Sequence, residues 1–297
     1  MDFLLWLQEI RTPTIEDAAL VISLLCDKIL IMLVFCWIFW CRDKKTAYGL
    51  AFSFAVSGLA VQGLKLGFRV DRPFVRNLRI KPVEAALETA TGYSFPSGHT
   101  QIATSLLGYT AASVKSVAVK ILSVVFILLV MLSRMVLGVH TPMDVTVSFI
   151  ITMTTVVLVK HFQKKSNGRF KKFFLILGAV LSAVFFCFSV FLVSSGRVPF
   201  ELAYDGIVIS VIGVTFFISA FVEMFFIKFD PAATFSGNQG FWQQFKKFVV
   251  GFLILMIIYF GLDSVDGVII DGLKYVAVFT WICCLYPIVI KKLCKRV

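Results

Sequence analysis

The sequence predicts an all-α membrane protein, a polytopic bundle of transmembrane helices. Hydrophobic residues make up 59% of its 297 residues and charged residues only 15%, whereas a soluble domain carries about 25% charged residues. The mean hydropathy is +0.91, and the apolar residues form runs long enough to cross a bilayer core, which takes about 20 residues as a helix. These runs are continuous and do not alternate, which argues against a membrane β-barrel.

The N-terminal segment is apolar but too short to cross. Residues 1–12 place Phe3, Leu4, Leu7 and Ile10 on one face of a helix, which is typical of a helix that lies in the membrane interface. Nine longer runs follow, with ends uncertain by a few residues. The predicted crossings are 15–41, 47–68, 99–114, 117–139, 142–161, 172–194, 203–228, 246–262 and 272–290.

Most of the 29 Lys and Arg residues lie in alternate connections between these crossings. By the positive-inside rule that face is cytoplasmic, so the N-terminus is predicted outside and the C-terminus inside. The outer loop 69–98 breaks the rule, because it is rich in basic residues. Its cations are Arg69, Arg72, Arg76, Arg79 and Lys81. A phosphate site is the natural explanation for them.

Other classes of function are not favoured. The net charge of +12 is explained by membrane topology, and no nucleic-acid-binding motif is present. The seven cysteines lie in or beside apolar runs without a CxxC pair or a Cys/His metal spacing, so they are expected to pack in the core, and neither a metal nor a cofactor is predicted. The N-terminus lacks the basic region of a signal peptide, and the compact loops favour a bacterial cell membrane. Oligomerisation is not indicated by the sequence.

Three short motifs stand out from the apolar background. They are Lys65-x6-Arg72-Pro73, Pro96-Ser97-Gly98-His99 and Ser133-Arg134-x5-His140-x3-Asp144. Together they supply three cations, two histidines and one carboxylate, a set that can bind a phosphate group, attack it and protonate what leaves. Because the second and third motifs are separated by one helical hairpin, all three are predicted to converge at the outer membrane face.

Each motif also has a purely structural explanation. Ser97 or Ser94 can cap the helix that begins near His99, although free amides at such a helix start also bind anions. Thr141 and Asp144 fit a capping box with Pro142 at the first helical position. A histidine directly before that cap, with a carboxylate four positions on, favours a functional site, because the carboxylate selects the tautomer and leaves the other nitrogen free to attack.

The intramembrane charges divide in the same way. Arg134 lies inside an apolar helix, where an unpaired charge costs about 2.5–3.5 kcal/mol, so it is a site candidate. Lys65 has the same status, with snorkelling as the alternative. Asp27 and Lys28 are interpreted as a structural pair, and His161, on the cytoplasmic side, as solvated.

These motifs resemble those of the type 2 phosphatidic acid phosphatase (PAP2) superfamily, with spacings that match without gaps over about residues 47–160. The resemblance implies a six-helix core, a first domain over 1–170 and a transmembrane extension of about three helices over 171–297. It also implies a metal-independent phosphohydrolase in which His140 is the nucleophile, Asp144 orients it, and His99 is the acid. The phosphoryl oxygens would be held by Lys65, Arg72, Ser97, Gly98 and Arg134.

The leading expectation is therefore a phosphatase that hydrolyses a lipid phosphate or pyrophosphate at the outer leaflet, with membrane lipids as its surroundings. A phosphotransferase that uses another hydroxyl in place of water is the second hypothesis. The third is a non-enzymatic lipid transporter on the same core, which the intact His99, His140 and Asp144 argue against. Arg197, Glu201, Asp205 and Glu223 in the extension are candidates for shaping substrate entry, but nothing in the sequence assigns them a role.

Overall fold

The described part of the chain is almost entirely helical. The computed structural model describes residues 1–25, 28–165, 168–236, 240–264 and 268–294. The α-helices are α1 (Asp2–Glu9), α2 (Pro13–Leu24), α3 (Lys28–Cys41), α4 (Lys44–Phe68), α5 (Pro73–Arg76), α6 (Glu84–Leu87), α7 (Gly98–Ala103), α8 (Tyr109–Ser113), α9 (Val117–Val136), α10 (Pro142–Lys165), α11 (Gly168–Ser194), α12 (Phe200–Val222), α13 (Phe241–Asp263), α14 (Val268–Thr280) and α15 (Tyr286–Leu293). Short π turns follow α7, α12 and α14. The predicted all-α polytopic class is confirmed.

Eight helical segments in the described residues are long and apolar enough to cross a membrane. They are Pro13–Cys41, Lys44–Arg76, Val117–Val136, Pro142–Lys164, Lys171–Ser194, Phe200–Ile227, Phe241–Asp263 and Ile270–Leu293. The remaining predicted crossing, 99–114, corresponds to α7, the π turn Thr104–Gly108 and α8. At 1.5 Å per residue this stretch is about 24 Å long, less than the hydrocarbon core of about 30 Å. The stretch that begins with α7 is therefore the shortest of the nine predicted crossings.

The chain forms two compact units. Unit 1 comprises Met1–Ile31, Phe52–Lys164 and Cys187–Ile207. Unit 2 comprises Met32–Ala51, Lys165–Phe186 and Val208–Val297. The division into domains 1–170 and 171–297 stays a prediction from the sequence.

Within unit 1, the N-terminal helix α1 packs against the loop 69–98. Leu4 and Leu7 are 3% and 4% exposed and belong to a cluster with Ile80 and Leu137. Gln8 ties the same surfaces together, because its Oε1 accepts from the backbone N–H of Lys81 at 2.7 Å. Of the predicted apolar face, Phe3 and Ile10 are exposed. Leu4 and Leu7 cover the loop, and the position of α1 in the membrane interface stays a prediction.

Unit 2 is held by close aromatic packing and by one buried carboxylate. A Cβ atom at Gly178 would lie 2.6 Å from the ring of Phe217, so only glycine allows this approach. Glu223 is fully buried and accepts from Lys44 Nζ at 2.8 Å and from the hydroxyl of Tyr48. The ion pair and the hydroxyl contact account for a charge that would otherwise be costly in an apolar interior.

Some charges singled out from sequence lie outside the described residues. The predicted Asp27–Lys28 pair is one case, because Asp27 and the side chain of Lys28 are not described. His161 is described and exposed, in agreement with a solvated side chain.

Candidate active site

The two cations of the first motif are anchored to the backbone of the loop 69–98. Lys65, near the end of α4, is 3% exposed, and its Nζ donates to the carbonyl of Tyr93 at 2.7 Å. The ammonium is thus turned into unit 1, which excludes simple snorkelling along the helix. Arg72 directly precedes Pro73, the first residue of α5, in extended conformation, and is 6% exposed.

Arg72 joins the loop 69–98 to the third motif. Its Nη2 donates to the carbonyl of Thr91 at 2.5 Å and its Nε to that of Gly92 at 3.2 Å. Its Nη1 donates to the carbonyl of Val139 at 3.1 Å and lies 3.0 Å from Nε2 of His140. Only the planar fork of a guanidinium reaches several acceptors in such a pattern.

The second motif forms the start of α7, as its residue types predict. Ser97 is the N-cap, fully buried, and its Oγ accepts from the backbone N–H of Thr100 at 3.4 Å. The backbone N–H of Ser97 donates to the carbonyl of Asp144 at 3.0 Å, so the second and third motifs are in direct contact. Gly98 and His99 follow in the first turn and are partly exposed. His99 lies within electrostatic reach of Arg134, His140, Arg72 and Lys65.

The predicted capping box at the start of α10 is present. The N–H of Asp144 donates to Oγ1 of Thr141 at 3.3 Å, and the N–H of Thr141 donates to Oδ2 of Asp144 at 2.7 Å. The same carboxylate oxygen lies 3.4 Å from Nδ1 of His140. The two interpretations made from sequence are therefore compatible, because one carboxylate caps the helix and also faces the histidine.

The contacts of His140 select its tautomer. A guanidinium can only donate, so Nε2 of His140, facing Arg72, presents its lone pair, and the ring proton lies on Nδ1 towards Asp144. Burial lowers the pKa of His140 well below its usual value, and the charge of Arg72 lowers it further, although Asp144 opposes both effects. The imidazole is 1% exposed and neutral at physiological pH. A neutral ring with its lone pair on Nε2 is the form that a nucleophile requires.

Arg134 is fully buried near the end of α9. Its Nη1 donates to Oγ of Ser23 at 2.6 Å and lies 3.3 Å from Oγ1 of Thr89. The carbonyl of Arg134 accepts from the N–H of His140 at 3.3 Å, which ties the histidine loop to this helix. The two hydroxyl contacts provide polar partners for Nη1 of a guanidinium that lies inside an apolar segment.

Several residues that support this arrangement were not assigned from sequence. Ser94 is 1% exposed and donates to Oδ2 of Asp144 at 2.6 Å, so it holds a carboxylate 50 positions away instead of capping α7. Ser23 and Thr89 were missed as well. Asp205, named from sequence only as a candidate for shaping substrate entry, accepts through Oδ2 from Thr91 Oγ1 at 2.7 Å. These are ordinary hydroxyl and carboxyl residues in long-range contacts, and no local spacing marks them. Among the described residues, no group of three or more His, Cys, Asp and Glu is placed to hold a metal ion.

The fold and this constellation of cations, imidazoles and a carboxylate define a class of protein, a polytopic membrane protein built for phosphate chemistry. Two family models match the chain. The model of the PAP2 superfamily matches residues 46–168, and that of the PAP2 superfamily phosphatase transmembrane extension matches residues 209–295. Together they span more than two thirds of the chain, which belongs to the PAP2 superfamily as a long form with a C-terminal transmembrane extension. At the family level it is a multi-pass membrane phosphatase. The searches of curated proteins and of solved structures found no match.

Proposed function

We propose that this protein hydrolyses phosphate or pyrophosphate monoesters of lipids at the outer membrane face through a phosphohistidine intermediate. The observation that carries the proposal is the position of His140 between Arg72, 3.0 Å from Nε2, and Asp144, 3.4 Å from Nδ1. This arrangement leaves the lone pair of Nε2 next to a cation that can also hold a phosphoryl oxygen. In a bound complex, the phosphate would take up the donor of Arg72 that now faces the imidazole.

In the first step, the lone pair of His140 Nε2 attacks phosphorus and the bond to the leaving oxygen breaks. Burial, and then the charge of Arg134, lower the pKa of His99 well below its usual value. The negative charge of a bound phosphate raises it again, so that in the complex His99, as imidazolium, gives its proton to the leaving oxygen. The lipid leaves as an alcohol, or as a phosphate when the substrate is a pyrophosphate. Lys65, Arg72, Arg134, Ser97 and the Gly98 amide hold the phosphoryl oxygens. The phosphohistidine carries a positive ring, which Asp144 stabilises through the proton on Nδ1. Positioning and charge stabilisation supply most of the catalysis in such reactions.

In the second step, His99, now neutral, takes a proton from water, and the resulting hydroxide oxygen forms a bond to phosphorus. The bond between phosphorus and Nε2 breaks, the electron pair returns to His140, and inorganic phosphate leaves. Dividing one displacement into two in this way lowers each barrier. The same two-step route permits transfer to another alcohol if that alcohol enters in place of water.

Lipid as the substrate class is supported by the surroundings of the site. Its residues come from the ends of helices, and the described part of the chain has eight segments long and apolar enough to cross a membrane. A substrate whose tail stays in the bilayer can present its phosphate at such a position. The outer face is inferred from the distribution of Lys and Arg in the sequence.

The chemistry is tested with purified protein in detergent, a short-chain phosphatidate and EDTA, by measuring released phosphate. We expect turnover in EDTA, loss of turnover in His140→Ala, and wild-type turnover in His161→Ala, which removes the exposed histidine. With p-nitrophenyl phosphate, whose leaving group needs no proton, His99→Asn should accumulate an acid-labile phosphoenzyme. Undiminished turnover in His140→Ala would refute the mechanism, and phosphate transfer to added alcohol at the expense of release would favour the phosphotransferase.

The orientation needs a separate experiment. Leu78 lies in the outer loop and is 87% exposed, and Lys164 is exposed near the end of α10. In a cysteine-free background, a membrane-impermeant maleimide added to intact cells should label Leu78→Cys and leave Lys164→Cys unlabelled. The opposite labelling would place the site on the cytoplasmic face and would leave the chemistry untouched.

A further inference from the structure

We infer that Asp205 is a positioning residue for phosphate binding. It holds the backbone segment 91–93, whose carbonyls accept hydrogen bonds from the two cations of the first motif. The inference rests on the proposed phosphatase function and deepens it. Asp205 lies in the second turn of α12 and belongs to unit 1. It falls outside both matched ranges, 46–168 and 209–295. Neither family model therefore accounts for its presence.

The segment 91–93 works as a cradle made of main-chain carbonyls. The carbonyls of Thr91 and Gly92 accept from the guanidinium of Arg72, and that of Tyr93 accepts from the ammonium of Lys65. Three consecutive peptide groups thus accept hydrogen bonds from two buried cations. A shift of this segment would move both cations together, whereas a shift of either side chain alone would move only one.

Helix α12 contacts this cradle through Asp205. The carboxylate of Asp205 accepts from Thr91 Oγ1 at 2.7 Å, a charge-assisted bond to the first residue of the segment. Gly92 has φ +64°, and a Cβ atom there would lie 3.4 Å from the carbonyl oxygen of Leu202 and 3.8 Å from Oδ2 of Asp205. A side chain at position 92 would therefore meet the helix directly, next to the hydrogen bond.

The charge of Asp205 acts in the same direction as its hydrogen bond. Asp205 lies within electrostatic reach of both Lys65 and Arg72. A carboxylate beside two buried cations lowers the cost of keeping them charged before substrate arrives. It touches neither cation through a hydrogen bond in the described contacts, so its effect on binding passes through the segment it holds.

The experiment compares variants that separate the hydrogen bond from the fold. Asp205→Ala and Thr91→Val each remove one partner of the hydrogen bond. Two variants serve as controls: Asp205→Asn keeps an acceptor oxygen, and Glu201→Ala removes an exposed carboxylate one turn earlier on the same helix. We expect KM for a short-chain phosphatidate to rise about tenfold in Asp205→Ala and in Thr91→Val, with kcat within about twofold. Asp205→Asn and Glu201→Ala should stay within about threefold of the wild type. Inhibition by orthovanadate should weaken in parallel with KM.

The double variant provides the decisive comparison. If Asp205 and Thr91 act through their bond, Asp205→Ala combined with Thr91→Val should raise KM no more than either change alone. Multiplicative effects would overturn the inference, and so would a KM for Asp205→Ala equal to that of Glu201→Ala. Equal losses in Asp205→Asn and Asp205→Ala would also overturn it, because charge alone would then carry the effect. A wild-type protein that hydrolyses no phosphate ester would instead refute the proposed function, and vanadate binding measured by thermal shift would still test the cradle.

Discussion

Replacement of Ser94 by alanine tests whether Asp144 is held for catalysis. Ser94 is 1% exposed, and its hydroxyl donates to Oδ2 of Asp144 at 2.6 Å, the oxygen that faces His140. Hydrogen bonds to charged groups contribute about 1.5–3 kcal/mol. If that whole amount is expressed in the transition state, where His140 becomes positively charged, kcat/KM should fall about 10- to 150-fold.

The assay is phosphate release from a short-chain phosphatidate, with thermal unfolding measured on the same samples. Ser57→Ala is the matched control, because Ser57 is equally buried in unit 1 and its Oγ donates to the carbonyl of Ser53 at 2.7 Å. It should lose stability without a comparable loss of kcat/KM. The reasoning is refuted if Ser94→Ala stays within twofold of Ser57→Ala while Asp144→Ala is inactive, because the carboxylate would then need no help from Ser94.

Three further outcomes are expected. Arg72→Lys keeps the positive charge, but an ammonium cannot replace a guanidinium that reaches three carbonyls and an imidazole. With about two of these hydrogen bonds lost, kcat/KM for phosphate release should fall at least about 100-fold. Gly138→Ala should lower the free energy of unfolding by about 1–2 kcal/mol in thermal denaturation, because φ is +75° and the new Cβ would lie 3.2 Å from Cα of Pro82; Gly67→Ala, with nothing within 4 Å, should not. Because the pKa of His140 is lowered in the folded protein, the unfolded chain binds a proton below about pH 6.5 that the folded chain does not. The contribution of His140 to the free energy of unfolding is therefore full above that pH and falls as the pH drops. His140→Asn should flatten this dependence in unfolding scans between about pH 5 and 7.5, and an unchanged slope would contradict the assignment.

Local signals in the sequence were sufficient for the features that depend on neighbouring residues. The capping box of Thr141 and Asp144 and the N-cap at Ser97 are contacts over three positions, which residue type and spacing predict well. Continuous apolar runs predicted the helices for the same reason, since backbone groups in lipid must be satisfied within each helix.

Long-range partners could not be predicted in this way. Ser94 reaches Asp144 across 50 positions, Ser23 reaches Arg134 across 111, and Thr91 reaches Asp205 across 114. Each pair depends on how helices pack, and a serine or threonine in an apolar chain has many local alternatives. Which residues of α1 are buried could not be predicted for the same reason. Packing against the loop covers Leu4 and Leu7 and leaves Phe3 exposed.

The carbonyl cradle at 91–93 has a consequence for sequence drift. Main-chain acceptors are present whatever the side chain, so the identity of Tyr93 is not what holds Lys65 in place. Sequence change in this segment is then limited by backbone shape at Gly92, where φ is +64°, and by the hydroxyl at Thr91 that reaches Asp205. The side chain of Tyr93 can therefore change without removing the carbonyl that accepts from Lys65.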